Sequence, residues 1–152
     1  MLAADNYYFK EHTKQKGKIK MKYVVVALLC LALSGCSSLD DVRNSDNQYS
    51  FDVSDNYQKV YRNIQEISKQ CWEGKAGTAD YVVDAQLYNE LGTAAVDLKL
   101  VGMVGPAYYL SIEIKRISSN KSHVVVHRAS YVHAYGEETV KQWAKGEMNT
   151  CG

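Results

Sequence analysis

The 152-residue chain has no apolar run long enough to cross a bilayer as a helix: its longest, Tyr23 to Leu33, has 11 residues where about 20 are needed. It lacks HExxH, CxxC and any row of acids spaced like a calcium loop, so no metal and no cofactor is expected. No GxSxG stands near a usable base, which leaves nucleophilic catalysis without support. Gly102 and Gly105 in "LVGMVGPAYY" are followed neither by Lys-Ser/Thr nor by a helix start, and this excludes a phosphate loop. No internal repeat is visible. Beyond the leader there is no cluster of Lys or Arg. Residues 36–152 carry 12 basic and 15 acidic side chains, net −3, whereas residues 1–35 carry six lysines and two acids, net +4. Without a basic stripe to follow a phosphate backbone, nucleic acid is not an expected partner.

What is present fits one exported domain. An apolar fraction of 46% supplies a single core. Met21-Lys22 gives a short positive start to the apolar stretch, as a signal peptide over 21–35 requires. Residues 1–20 then read as a start-site artefact or an extended leader, with Met21 as the functional start.

The end of that segment, "LALSGCSS", carries Leu33-Ser34-Gly35-Cys36, which resembles the lipobox of bacterial lipoproteins. The resemblance implies cleavage before Cys36, diacylglycerol on its sulfur and acylation of its freed amine. The membrane thereby becomes a partner through a lipid anchor. Ser37 in place of aspartate after the cysteine implies the outer membrane, on its periplasmic face. Of the four cysteines, Cys30 lies in the discarded segment, and lipidation removes Cys36 from the count. Cys71 and Cys151 remain as an even pair in an oxidising compartment, where a disulfide is expected.

Along the mature chain, residues 37–48 are polar without apolar periodicity and read as a flexible tether reaching roughly 40 Å when extended. The domain proper is expected over 49–152. Tyr49, Phe51 and Val53 alternate with polar residues as in a half-buried strand. Ser54 offers a helix cap, and Tyr57, Val60, Tyr61, Ile64, Ile67, Cys71 and Trp72 recur at helical spacing before "EGKAG" ends the helix. Strands follow around Tyr81–Tyr88 and Ala94–Leu100, joined by "NELG". A third has Tyr108, Leu110, Ile112 and Ile114 on one face, and a fourth is "SHVVVHRASYV". A weaker helix runs from about Glu137 to Met148. The fold class is therefore α+β: strand, helix, an antiparallel meander of three to four strands and a short C-terminal helix. This order resembles helix-grip domains, and the first helix, with "VYR" and "CW", is similar to that of small envelope lipoproteins.

Candidate side chains are few. His123 and His127 on one strand stand about 13 Å apart, too far for both to ligate one metal, whose ligand nitrogens lie within about 4 Å of each other. His133 reads as an ordinary polar residue. A four-residue "NELG" loop pairs Val83 with Leu98 and so sets Asp84 opposite Asp97, a facing carboxylate pair of the kind that raises one pKa. The simpler expectation is a solvated sheet face with Lys99 and Lys115 as neighbours. Met103 and Val104, in a Gly/Pro-bounded loop with Tyr108 and Tyr109 beyond, read either as a loop folded back on the core edge or as a contact surface for a partner or the membrane. The expected function is a non-enzymatic, lipid-anchored module that binds or scaffolds an envelope protein partner. The alternative is a carrier of a small apolar ligand held between the curved sheet and the first helix, and an enzyme comes third.

Overall fold

Apolar-polar alternation in five separate segments builds one antiparallel sheet, and the helix with the strongest apolar stripe lies across one of its faces. The computed structural model describes residues 37–148 and Cys151. Cys36, the signal peptide over 21–35 and the leader over 1–20 lie outside the described residues. The elements are α1 (Leu39–Arg43), β1 (Gln48–Val53), α2 (Tyr57–Trp72), β2 (Gly74–Ala76), β3 (Ala79–Tyr88), β4 (Thr93–Gly102), β5 (Gly105–Ser118), β6 (Lys121–Arg128) and α3 (Glu137–Lys145). The six strands lie in the order β1-β6-β5-β4-β3-β2, every neighbour antiparallel. The fold is α+β.

The core forms where the apolar stripe of α2 meets the apolar face of the sheet. Val60 and Ile64 are fully buried against Leu110, Ile112, Val124 and Val126, and Val140, Trp143 and Ala144 of α3 close one side. Each buried Val, Leu or Ile among them contributes about 1.5–3 kcal/mol of hydrophobic stabilisation. Asn63 of α2 donates to the carbonyl of Ala144, 3.1 Å away, and so ties the two helices together. Helix α2 starts two residues later than Ser54 would set it. Asn56 is the cap, accepting from the Gln58 N–H at 2.9 Å while its amide donates to the Ser119 carbonyl.

Four further expectations are corrected. The segment 37–48 is not a free tether. Ser38 and Asp41 form a reciprocal capping box that starts α1, and Val42 on this short helix is fully buried with Ala129 and Val132. The Ser37 carbonyl accepts from the Tyr108 N–H at 3.0 Å, and Asn47 donates to the carbonyls of Ala129 and Val132. Second, the helix ends at Trp72 with Glu73 as its C-cap, as expected of "EGKAG", but "GKA" is not open loop: it forms β2, which zips onto the start of β3 through a two-residue turn. Third, Tyr108 does not share the face of Leu110. A bulge opposite Leu98 and Lys99 leaves Tyr109 unpaired and sets Tyr108 against Lys99 on the other face. Fourth, β6 stops at Arg128, and residues 129–136 cross as a loop to α3.

Candidate functional site

The C-terminal end of α2, the bulge in β5 and the loop over 129–136 meet in a pocket of about 470 Å³. Its walls are Cys71, Trp72, Tyr81, Leu98, Tyr109, Tyr131, Val132, His133, Ala134 and Tyr135, five of them aromatic and none carrying a permanent charge. Local chemistry explains the assembly. The bulge turns Tyr109 to the helix side of the sheet, where its ring meets Tyr81 at 6.1 Å and Tyr131 at 5.9 Å, both edge-on. The loop is held by backbone rather than by packing alone: the Ala129 N–H donates to the Tyr109 carbonyl, and the Tyr49 hydroxyl donates to the Tyr135 carbonyl at 2.8 Å. Tyr135 sits at φ 60°, a left-handed conformation that costs an aromatic residue about 1 kcal/mol or more. Its ring then stacks edge-on against Trp72 with centroids 4.2 Å apart.

Burial pushes the Tyr109 and Tyr135 phenols above their ordinary pKa, so both stay protonated donors at neutral pH. Among the described residues the buried indole N–H of Trp72 finds no acceptor at hydrogen-bonding geometry, yet it lies near enough to the Tyr135 phenol to oppose part of that upward push. The disulfide between Cys71 and Cys151 joins the pocket wall to the segment after α3, with the two Cα atoms 5.3 Å apart. The pocket is thus uncharged and ring-lined, suited to a neutral group that offers flat or apolar surface and accepts or donates a few hydrogen bonds.

The other sequence-predicted residues fall elsewhere. Asp84 and Asp97 do face each other in register, but their carboxylates are divided between different partners. Asp84 accepts from the Lys99 ammonium at 2.9 Å; Asp97 accepts from the Ser111 hydroxyl at 2.5 Å and lies 3.6 Å from Arg43. The face is not simply solvated, because α1 covers part of it. Asp97 is only 8% exposed, and burial raises its carboxyl above the ordinary range while Ser111 and Arg43 oppose the shift. Lys115 sits across from Thr93 and His123, away from the two acids.

His123 bonds Asp52 at 2.7 Å, His127 is buried in the sheet, and His133 lines the aromatic pocket, so the three histidines do not converge. Among the described residues no three His, Cys, Asp or Glu side chains are grouped as metal ligands. Met103 and Val104 form the tip of the β4–β5 hairpin, 95% and 89% exposed. Tyr108 and Tyr109 stand behind the tip in β5, one on each face. Core side chains pack between α2 and the sheet, and the pocket lies at the C-terminal end of α2, where Cys71 and Trp72 face Tyr81, Leu98 and Tyr109.

Sequence reasoning placed Trp72 and Tyr81 in the core and Tyr131 in a strand, and it did not single out Tyr135. The available signal was the count of 12 tyrosines, several of them at segment ends rather than within apolar alternation. No protein-family model matches the chain, and no curated protein matches its sequence.

Proposed function

We propose that this chain is a lipid-anchored protein of the bacterial envelope that works by binding, and that its aromatic pocket takes an uncharged group of an envelope partner. The observation that carries the reading is the pocket lining: five aromatic rings around about 470 Å³, with no charged side chain. Rings of this kind supply large contact area at low entropic cost, and protonated phenols orient a neutral guest. The lipobox resemblance at Cys36 supports the anchor, and the Cys71–Cys151 disulfide is consistent with an oxidising compartment. Binding is favoured over catalysis because the one facing carboxylate pair is already divided between Lys99, Ser111 and Arg43.

The test places a photoreactive residue at Tyr131, at the pocket wall, in the full lipidated protein within its own cells. Leu91, 74% exposed in the turn between β3 and β4, is the control position. A discrete adduct from position 131 that disappears with Tyr109→Ala, and none from position 91, is the expected result. Equal labelling from both positions would sink the pocket assignment. Normal membrane sorting of Cys36→Ala would sink the anchor.

A further inference from the structure

The strands of an antiparallel sheet bring their turns to two opposite ends, and here the two ends differ in chemistry. One end gathers the turn between β2 and β3, the tip of the β4–β5 hairpin, the exit from β6 and the entry to β1. From Leu100 to Leu110 this end has 11 consecutive residues without a charge. Met103 and Val104 project from its tip, and Tyr81, Tyr109 and the half-exposed Tyr131 stand behind them. Lys75 and Asp80 lie opposite each other across β2 and β3, so the neighbouring hairpin adds no net charge. Arg128 is engaged by Asn47 and lies over the Tyr49 ring. The opposite end exposes Leu91 and Ile117 too, but among charged and polar residues: its turns carry Asn89, Glu90 and Asn120, with Arg116 and Lys121 beside them.

The described chain begins at the apolar end. Ser37 is fixed there by its hydrogen bond from the Tyr108 N–H, five residues behind Met103 in β5. Because 37–48 is folded onto the sheet, Cys36 is the next residue in sequence to this fixed point. A lipid on Cys36 therefore brings the apolar end, and not the polar one, to the bilayer. We infer that the Met103–Val104 tip inserts into the membrane interface beside the lipid and fixes how the domain stands on the bilayer. This rests on the lipid anchor of the proposed function.

The dimensions agree. Five strand residues span at most about 16 Å, more than the 5–10 Å depth of interfacial insertion, so the tip can reach the interface while Ser37 stays outside it. The tyrosines behind the tip then lie at headgroup level, where amphipathic rings are enriched.

The experiment uses the full lipidated chain in vesicles of phosphatidylethanolamine and phosphatidylglycerol. An environment-sensitive fluorophore is placed at Val104→Cys and, separately, at Leu91→Cys. The label at 104 is expected to shift to the blue and to be quenched by brominated lipid at least five-fold more than the label at 91. Amide exchange of the unsubstituted protein gives a second reading, with exchange over 102–105 slowing at least ten-fold on vesicles. A chain that floats with the vesicles but leaves position 104 as open to aqueous iodide as position 91, with exchange unchanged, overturns the insertion while leaving the anchor intact. Protection at 104 only in native envelopes assigns the tip to a protein partner and likewise overturns it. A chain that carries no acyl group by mass and does not float overturns anchor and insertion together.

Discussion

Breaking the bond between Cys71 and Cys151 removes a constraint that acts on the unfolded chain. The two cysteines are 80 residues apart in sequence. In the chain-entropy description, closing a loop of that length lowers the unfolded entropy by about 15 cal/mol/K, which is about 4.5 kcal/mol at 25 °C. For a folded unit of about 115 residues, an unfolding entropy near 2.1 cal/mol/K per residue gives a total of about 240 cal/mol/K. The loss then lowers the melting midpoint by about 19 °C. The assay is thermal unfolding of the oxidised protein, the reduced protein and the double variant Cys71→Ser/Cys151→Ser, followed by circular dichroism. Reduced protein and double variant should fall together, because the effect resides in the unfolded ensemble and not in side-chain packing at either sulfur. A midpoint lowered by less than about 4 °C would refute the reasoning and show that the unfolded chain is already compact enough to hold the two ends near each other. A much larger loss in the double variant than on reduction would show instead that Cys71 stabilises through packing against the core.

Three further outcomes follow from named contacts. Asp97→Asn should leave the midpoint at pH 7 unchanged or raised. The native carboxyl is held above its ordinary pKa by burial, so the fold favours its protonated form and loses stability as pH rises through the carboxylate range. The difference between the native protein and this variant should narrow as pH falls toward about 4, and a loss above about 1 kcal/mol at pH 7 would show that the Arg43 pair outweighs burial. Val42→Asp should release α1 rather than bury a charge, at a cost of about 2 kcal/mol, and hydrogen exchange at the Tyr108 amide, which donates to Ser37, should lose its protection. Gly92→Ala meets a backbone at φ +65° and places a Cβ 3.0 Å from Arg116 Nε, so urea unfolding should report a loss of about 1–2 kcal/mol. No loss would mean that the turn over 89–92 relaxes freely.

The registers that loop length controls were legible in the sequence. "NELG" as a four-residue connection pairs Val83 with Leu98 and Ala85 with Val96, and the structure has both pairs. The long helix was equally plain, because its apolar residues recur over four turns and each adds to one stripe. Helix α1 was not legible for the converse reason. Five residues hold only Leu39 and Val42 as apolar members, too few to define a period and too short to be stable alone. It exists because Val42 finds Ala129 and Val132 and because Arg43 reaches Asp97 and Glu113, contacts made by residues more than 50 positions away. The Ser38-to-Asp41 spacing was the one local mark of its start.

The bulge in β5 shows why the pocket itself escaped. Tyr108 and Tyr109 are both aromatic, so alternation read backwards from Leu110, Ile112 and Ile114 is satisfied without an insertion, and nothing in the sequence shows that one extra residue has entered the strand. The consequence is out of proportion to one residue. With Tyr108 turned to the α1 side, it packs beside Val42 and receives Lys99 over its ring at 5.8 Å. With Tyr109 turned to the α2 side, it joins Tyr81 and Tyr131 at the mouth of the pocket. The same residue pair therefore fixes both the docking of the N-terminal segment, through the Tyr108 amide and Ser37, and the aromatic lining. Where the chain is tethered and what its pocket presents are set by one local departure from strand alternation, so a deletion that restored regular pairing at 108–109 would disturb both at once.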